Sequence, residues 1–492
     1  MDPVIGLLLM ACLSIPVSAQ FDSETFFDLY DNHRIAPDDL MQMTPDLVGA
    51  RIKAIADKYP VIDLQVAGES VEGRPLYYLS FGTGDTRLLL WSQMHGDEPT
   101  ATAALLSIFD YLGERYEESF VKFISDHLQI HALIMLNPDG AAKFQRRNAQ
   151  DIDINRDARL LQSPEGRTLK RLKDTINPDY GFNLHDMGGR ETVGPEKRLL
   201  SIAFMAPPFN ESEEDSPSRI RAKKLIVVMM EALQPFIAGQ MARYKADYMP
   251  RAFGDAMQNW GVSTVLIESG MHDDPDPHFN VRMNFIALLC AFESIASDRV
   301  ETAESSEYEA IPLEGADLFD VLIRDVLIMN GSAIPPFRGD IGINVNRYKR
   351  NGEIRVSGKI ADIGDLSITT GRKIIAGDDL VVAPAFVGMG DPAVEESTMY
   401  ASGYGRLLPV DAAPEKSELI PAYRTEWKIA ADDLPDHTSV PAEKLGFKNL
   451  GLIKRGYDAD LIIFKDPAPQ TLESQNIIWV LKNGRVINVR NR

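Results

Sequence analysis

The sequence predicts an α/β fold with a mixed central sheet flanked by helices, followed by a smaller all-β sandwich domain. Two observations predict the first part. Apolar runs such as Leu88-Leu89-Leu90-Trp91 and Val262-Ser263-Thr264-Val265-Leu266-Ile267 read as buried strands. They alternate with longer helical stretches, Thr100 to Leu112 and Ser218 to Ile237 among them. A third observation predicts the second part. Beyond residue 312 the helical period gives way to short β-rich runs broken by Gly/Asp turns. At 492 residues the chain exceeds one typical core, and about two to three domains is the prior.

Taken in order, residues 1–19 read as a signal peptide. Val4 to Pro16 is an apolar stretch too short to span a bilayer, and Val17-Ser18-Ala19 offers small residues before Gln20. The three residues ahead of it, Met1-Asp2-Pro3, carry no Lys or Arg. The address this implies is secreted or periplasmic. Leu9-Met10-Ala11-Cys12 loosely matches a lipobox, so a lipoprotein anchored through Cys12 is the minor alternative, and an N-terminal buried helix a third. The chain has two cysteines, Cys12 and Cys290. Loss of the signal leaves Cys290 alone, in an apolar run that suits a core thiol. The net charge of −21 argues against a nucleic-acid partner, which requires a clustered basic surface. No transmembrane helix is expected, and nothing in the patterning specifies an oligomeric state.

Residues 20–300 read as the catalytic domain. After a leader of mixed helical pattern, Val66 to Ser70 and Arg74 to Leu79 form a hairpin leading to the Leu88 strand. That strand ends in His95-Gly96-Asp97-Glu98, and a helix starts near Pro99, where a first-turn proline is tolerated. A His and a Glu three residues apart at such a corner can converge on one point, a partial ligand set for zinc. Leu128 to Leu136 is the next buried strand, closed by the turn Asn137-Pro138-Asp139-Gly140. The polar stretch Arg146 to Asp157 follows, which alone would read as solvated surface. The strand Tyr180 to Leu184 delivers His185 at its end, and the Val262 strand delivers Glu268. A carboxylate at the close of an apolar strand is costly to bury without a role or a partner. His131 reads as a packing histidine within a strand, and His272 and His278 as loop residues.

His95-x-x-Glu98, Asn137-Pro138-Asp139-Gly140, Arg146-x-Asn148-Ala149, Asp153-x-Asn155-Arg156, His185 and Glu268 occur in this order. Order and spacing, from about Pro60 to Ala296, resemble the zinc carboxypeptidase family, the M14 metallopeptidases. The resemblance implies one Zn2+ ion held by His95, Glu98 and His185. It implies Glu268 as general base, Arg146 as the group that polarises the scissile carbonyl, and Asn155 and Arg156 as the clamp on the substrate's terminal carboxylate. Asp153 would orient His95. The family's mobile tyrosine would be Tyr248, with Tyr244 nearly as well placed. Asp157 stands where animal members have Asn. The function implied is removal of C-terminal residues from peptides with a free C-terminus. The alternative is a zinc amidase or deacylase acting on cell-wall peptides or N-acyl amino acids.

Residues 301–312, acidic and Ser/Glu-rich, read as a linker to a β-sandwich domain over 313–492. Asp320 to Arg324, Gly339 to Ile343, Ile363 to Leu366 and Val382 to Phe386 resemble the opening β-segment of amidohydrolases, especially N-acyl-D-amino-acid deacylases. Pro441 to Gly446, Gly456 to Phe464 and Asn483 to Val486 resemble their closing segment. About fifty residues separate the two, too few for a catalytic barrel of about 250. The barrel's His-x-His is absent, since Val387 to Asp391 stands in its place and His437 is the only histidine beyond the linker. The resemblance therefore implies the β-domain alone.

Overall fold

The computed structural model describes residues 23–316, 318–328, 337–350, 352–378, 380–384, 461–465, 477–482 and 485–488. The expected signal segment, Cys12, His437 and the segments 385–460, 466–476 and 483–484 lie outside the described residues. The first half begins with two helices, α1 (Ser23–Leu29) and α2 (Pro45–Lys58). Thr44 caps α2 by accepting the Leu47 N–H at 3.3 Å, and Pro45 takes the first helical position, where no N–H is missed.

An eight-stranded sheet forms the centre. Its strands are β1 (Asp63–Glu69), β2 (Pro75–Phe81), β3 (Thr86–Ser92), β4 (Leu128–Leu133), β5 (Tyr180–Asp186), β8 (Ile202–Met205), β9 (Met241–Arg243) and β10 (Ser263–Ser269). The spatial order is β1-β2-β4-β3-β5-β10-β8-β9. β4, β3, β5 and β10 run parallel to one another, and β1–β2, β2–β4 and β10–β8 are antiparallel, so the sheet is mixed. Two short strands, β6 (Thr192–Val193) and β7 (Arg198–Leu199), stand apart from it as a hairpin.

Helices cover both faces: α3 (Thr100–Glu114), α4 (Ser119–His127), α5 (Pro138–Lys143), α6 (Pro164–Ile176), α7 (Pro217–Ile237), α8 (Phe253–Asn259) and α9 (Phe279–Ala296). Strand β3 shows why its sequence is uninterruptedly apolar. Leu88 and Leu90 join the core beneath α3, α7 and α9, while Leu89 and Trp91 join the second core with Leu169, Phe253 and Met257. Alternate side chains point to opposite faces, and both faces are covered. Among the described residues one helix, α9, is long and apolar enough to cross a membrane, but 94% of it is buried inside the fold. Cys290 on that helix is buried, as the sequence suggests.

The acidic stretch expected as a linker is instead packed structure. Residues Arg299–Thr302 form a 3-10 turn and Ser305–Ala310 a helix, α10, against α7. Glu309 lies 2.7 Å from Lys223 and 2.5 Å from Arg243, and buried Tyr308 accepts the Ala206 N–H at 3.2 Å. Composition alone hid the apolar anchors, Tyr308 and Ile311, that join this segment to the main core.

The second half is all-β. Its strands are β11 (Glu314–Gly315), β12 (Leu318–Ile328), β13 (Phe337–Arg350), β14 (Glu353–Gly364), β15 (Thr370–Ala376), β16 (Leu380–Pro384), β17 (Leu461–Lys465), β18 (Ile477–Lys482) and β19 (Arg485–Asn488). All but β11 form a branched sheet, β14-β13-β12-β16-β17-β18-β19, in which β15 also pairs with the first half of β12. Val321, Ile323, Ile341, Ile343, Ile360 and Val382 fill its core. It is tied to the first half by β11, which pairs with β6. Arg190 reinforces the join, donating to Asp320 at 3.0 Å and to the Val345 carbonyl at 2.7 Å.

Candidate active site

The C-terminal ends of β3, β5 and β10 gather at one place, where parallel sheets collect their loops. His185 and Glu268 are register partners on adjacent strands β5 and β10. The turn after β3 carries His95 and Glu98 to the same point. Gly96 is needed in that turn, because a Cβ there would collide with the backbone of Gly140 and Ala141. Asn137 braces the approaching segment by accepting the Gly140 N–H at 2.9 Å and donating to the carbonyls of Met94 and Arg146.

Ligand atoms of His95, Glu98 and His185, all three buried, lie within 4.8 Å of one another. Glu98 presents one oxygen to Nδ1 of His95 and the other to Nδ1 of His185, both at 2.7 Å. Burial opposes the charge on Glu98, but the imidazoles of His185 and His95 outweigh it and lower its carboxyl to about 2. Asp153 lies 3.1 Å from His95 Nε2 and accepts its proton there. Both histidines thus turn Nδ1 toward Glu98, while His95 presents Nε2 to Asp153. That donor set, two imidazoles and one carboxylate whose ligand atoms lie within 4.8 Å of one another, fits zinc.

Around this cluster lies a cavity of about 680 Å³, lined by His95, Glu98, Arg146, Asn155, Arg156 and Glu268 among others. Arg146 Nε donates to Asp153 at 3.0 Å, and its NH1 lies 3.1 Å from His95 Nδ1. Asp153 also accepts the Asn155 N–H at 3.0 Å, so one carboxylate orients His95, Arg146 and Asn155 together. Asn155 accepts the Phe253 N–H at 2.9 Å and its amide lies 3.4 Å from His185 Nε2, while Arg156 donates to the Asn155 carbonyl at 2.7 Å. Glu268 is buried, and burial followed by the charges of Glu98, Asp186 and Glu314 pushes its carboxyl well above the ordinary range.

His95, Glu98 and His185 converge, and Glu268, Arg146, Asn155 and Arg156 face the same cavity, with Asp153 behind His95. Tyr248 does not line the cavity, whereas Tyr244 does. Burial and the nearby charge of Glu268 push the Tyr244 phenol up to about 12. The short strand β9 ends at Arg243 and hands Tyr244 to the rim, a connection that spacing to Glu268 alone could not reveal. His131 is indeed packing: it stacks on Tyr78 with ring centroids 5.7 Å apart and an interplanar angle of 7°, and bonds its hydroxyl. His278 lies in the turn just before α9, outside the His95–Glu98–His185 cluster. It is fully buried, with Nδ1 2.8 Å from Tyr30 Oη and Nε2 donating to the Pro37 carbonyl.

Sequence reasoning passed over Asp186, Glu191, Asp255 and Glu314, all on the cavity wall. Asp186 receives the N–H and hydroxyl of Thr100, and burial with the charge of Glu98 pushes its carboxyl up to about 7. Its position directly after His185 was the available signal. Glu314 had none, since it lies past the acidic stretch, far from the other residues in sequence.

Residues 48–201 match the model of the zinc carboxypeptidase family. The matched zinc carboxypeptidase segment contains every residue of the metal cluster and of the Arg146–Arg156 loop, while Glu268 and Tyr244 lie beyond it. Curated relatives include the "Probable carboxypeptidase 2" of Arthroderma benhamiae, 27% identical over 146 residues, which are 30% of this chain and 26% of that protein. "Carboxypeptidase M" of Mus musculus is 31% identical over 161 residues, 28% of this chain and 36% of that protein. The chain thus spans about a quarter to a third of the length of these carboxypeptidase relatives. Among solved structures, a metallo-carboxypeptidase from Burkholderia cenocepacia is 18% identical with a TM-score of 0.42, covering 52% of this chain and 69% of its own.

Proposed function

We propose that this protein is an exported zinc metallopeptidase that removes C-terminal residues from peptides. One observation carries the reading. The convergent His95, Glu98 and His185 share a single cavity with a buried carboxylate, Glu268, and with the Asn155–Arg156 pair. Peptide hydrolysis needs each of these. His95, Glu98 and His185 would hold the ion, and a bound zinc supplies Lewis acidity and brings the pKa of water to about 7. Glu268, with its raised proton affinity, is suited to accept a proton from that water and return it to the leaving amine. Arg146 offers its guanidinium where negative charge develops on the carbonyl oxygen. Arg156 and the Asn155 amide suit a terminal carboxylate, which a planar guanidinium binds in a bidentate fork. Tyr244, from the rim, is the phenol placed to close over a bound peptide. Export rests on the first nineteen residues.

The test is hydrolysis of N-blocked dipeptides with free or amidated C-termini, with zinc quantified in the same preparation. Cleavage of the free-carboxylate series alone, abolished by a chelator, is the expected result. Bound zinc with cleavage of neither series would overturn the peptidase reading in favour of the amidase alternative.

A further inference from the structure

The cavity wall is unusually acidic, and part of it comes from outside the catalytic half. Glu98, Asp186, Glu191, Asp247, Asp255, Glu268 and Glu314 line it, against Arg146, Arg156 and Lys245 as fixed cations. Arg146 is already engaged by Asp153, and Glu98 by the two histidines. Glu314 belongs to β11, the strand that joins the two halves of the chain. It is held from both sides. β11 pairs with β6, directly after Glu191, and the Lys245 N–H donates to Glu314 Oε1 at 3.2 Å. The residues before it are clamped as well: Arg243 N–H donates to the Pro312 carbonyl at 2.8 Å, and its guanidinium to the Ile311 carbonyl at 3.1 Å. The other oxygen of Glu314, Oε2, is buried without a hydrogen-bond partner. A buried carboxylate oxygen without a partner is costly unless something arrives to satisfy it.

We propose that Glu314, seconded by Glu191, selects substrates that carry a cationic group on the acyl side of the scissile bond; this rests on the peptidase reading above. The acyl side follows from the placement of the remaining groups. The Phe253 N–H donates to Asn155, the neighbour of Arg156, so a carboxylate held at Arg156 sets the leaving residue beside Met249, Ala252, Gly254 and Asp255. The acyl portion then falls to the rest of the wall, which includes Met187, Gly188, Glu191, the segment 244–247 and the segment 314–316. An ammonium there satisfies Glu314 Oε2 by a charge-assisted bond. The group can be the free α-amine of a dipeptide or a lysine side chain.

The experiment measures kcat/KM of the full zinc-loaded chain on acetyl-Ala-Leu, on Ala-Leu with its free amine, and on acetyl-Lys-Leu. Wild type is expected to favour at least one cationic peptide by about tenfold or more. Which one is favoured identifies the α-amine or the side chain as the group read. Glu314→Gln keeps an oxygen for the Lys245 N–H and should fold normally, yet reduce that preference to within about threefold. Glu191→Gln, just before the facing strand β6, should reduce it in the same direction. Equal rates on all three peptides in wild type, or a preference unchanged in Glu314→Gln, would overturn the inference while leaving the peptidase reading intact. Cleavage of none of them, with zinc bound, would instead count against the peptidase reading.

Discussion

Asp153 Oδ1 lies 3.1 Å from His95 Nε2, and this contact decides which nitrogen of His95 faces Glu98. A carboxylate behind an imidazole fixes its tautomer and raises its basicity. Asp153→Asn should therefore lower zinc affinity by about 10–100-fold without removing a ligand. Titration with a competing chelator checks this, and unchanged affinity would remove Asp153 from that role.

His95→Ala and His185→Ala each delete one of three converging donors. Both should leave the purified protein with little zinc at micromolar free ion, because a catalytic site needs three protein ligands. Elemental analysis of the dialysed variants reads this directly, and full occupancy in either would exclude that histidine.

Glu268→Gln should retain zinc and lose turnover by about 10²–10⁴-fold, the usual range for a general base. The combination separates a base from a ligand. A variant that loses both zinc and activity would place Glu268 in the metal cluster instead.

Gly96→Ala tests the turn rather than the chemistry. The added methyl would meet the Gly140–Ala141 backbone, which cannot yield as a flexible side chain can. A loss of about 2–4 kcal/mol in unfolding free energy is expected, typical of overpacking plus local strain. Denaturant midpoints of wild type and variant provide the comparison.

His131 gives a pH signature. Burial, followed by the charge of Arg87, lowers its imidazole to about 4. Neutral His131 is thus preferred in the fold, while the unfolded chain takes up the proton near its ordinary value of about 6.5. The resulting stability is complete above pH 6.5 and is lost as pH falls toward 4, by about 2–3 kcal/mol. His131→Phe keeps the stack on Tyr78 and removes the titration. The stability gap between wild type and variant should shift in favour of the variant by that amount between pH 7 and pH 4. A gap independent of pH would refute the assignment.

The periodic parts of this fold were legible before any coordinates. Strands β3, β5 and β10 and helices α3 and α7 appear within a few residues of the positions that apolar runs and caps mark, because these elements bury their own sequence pattern. The candidate metal ligands came instead from the resemblance to the zinc carboxypeptidases. His185 and Glu268 sit at the ends of β5 and β10 and His95 and Glu98 in the turn after β3, and strand ends are where a parallel sheet collects its loops. What the chain could not declare was the packing of segments with no period. The stretch 301–310 reads as solvated acid, yet Tyr308 and two cations dock it on α7. Tyr244 and Tyr248 are equivalent by spacing, and only the end of β9 decides that Tyr244 faces the cavity. Glu314 reaches the same cavity from more than forty residues past Glu268, through two backbone pairings with β6. Local sequence determines which elements form, since periodicity and capping act within a few residues. Which distant carboxylates share one low-dielectric cavity is decided by tertiary contacts, and the electrostatics of a site depends on that sharing.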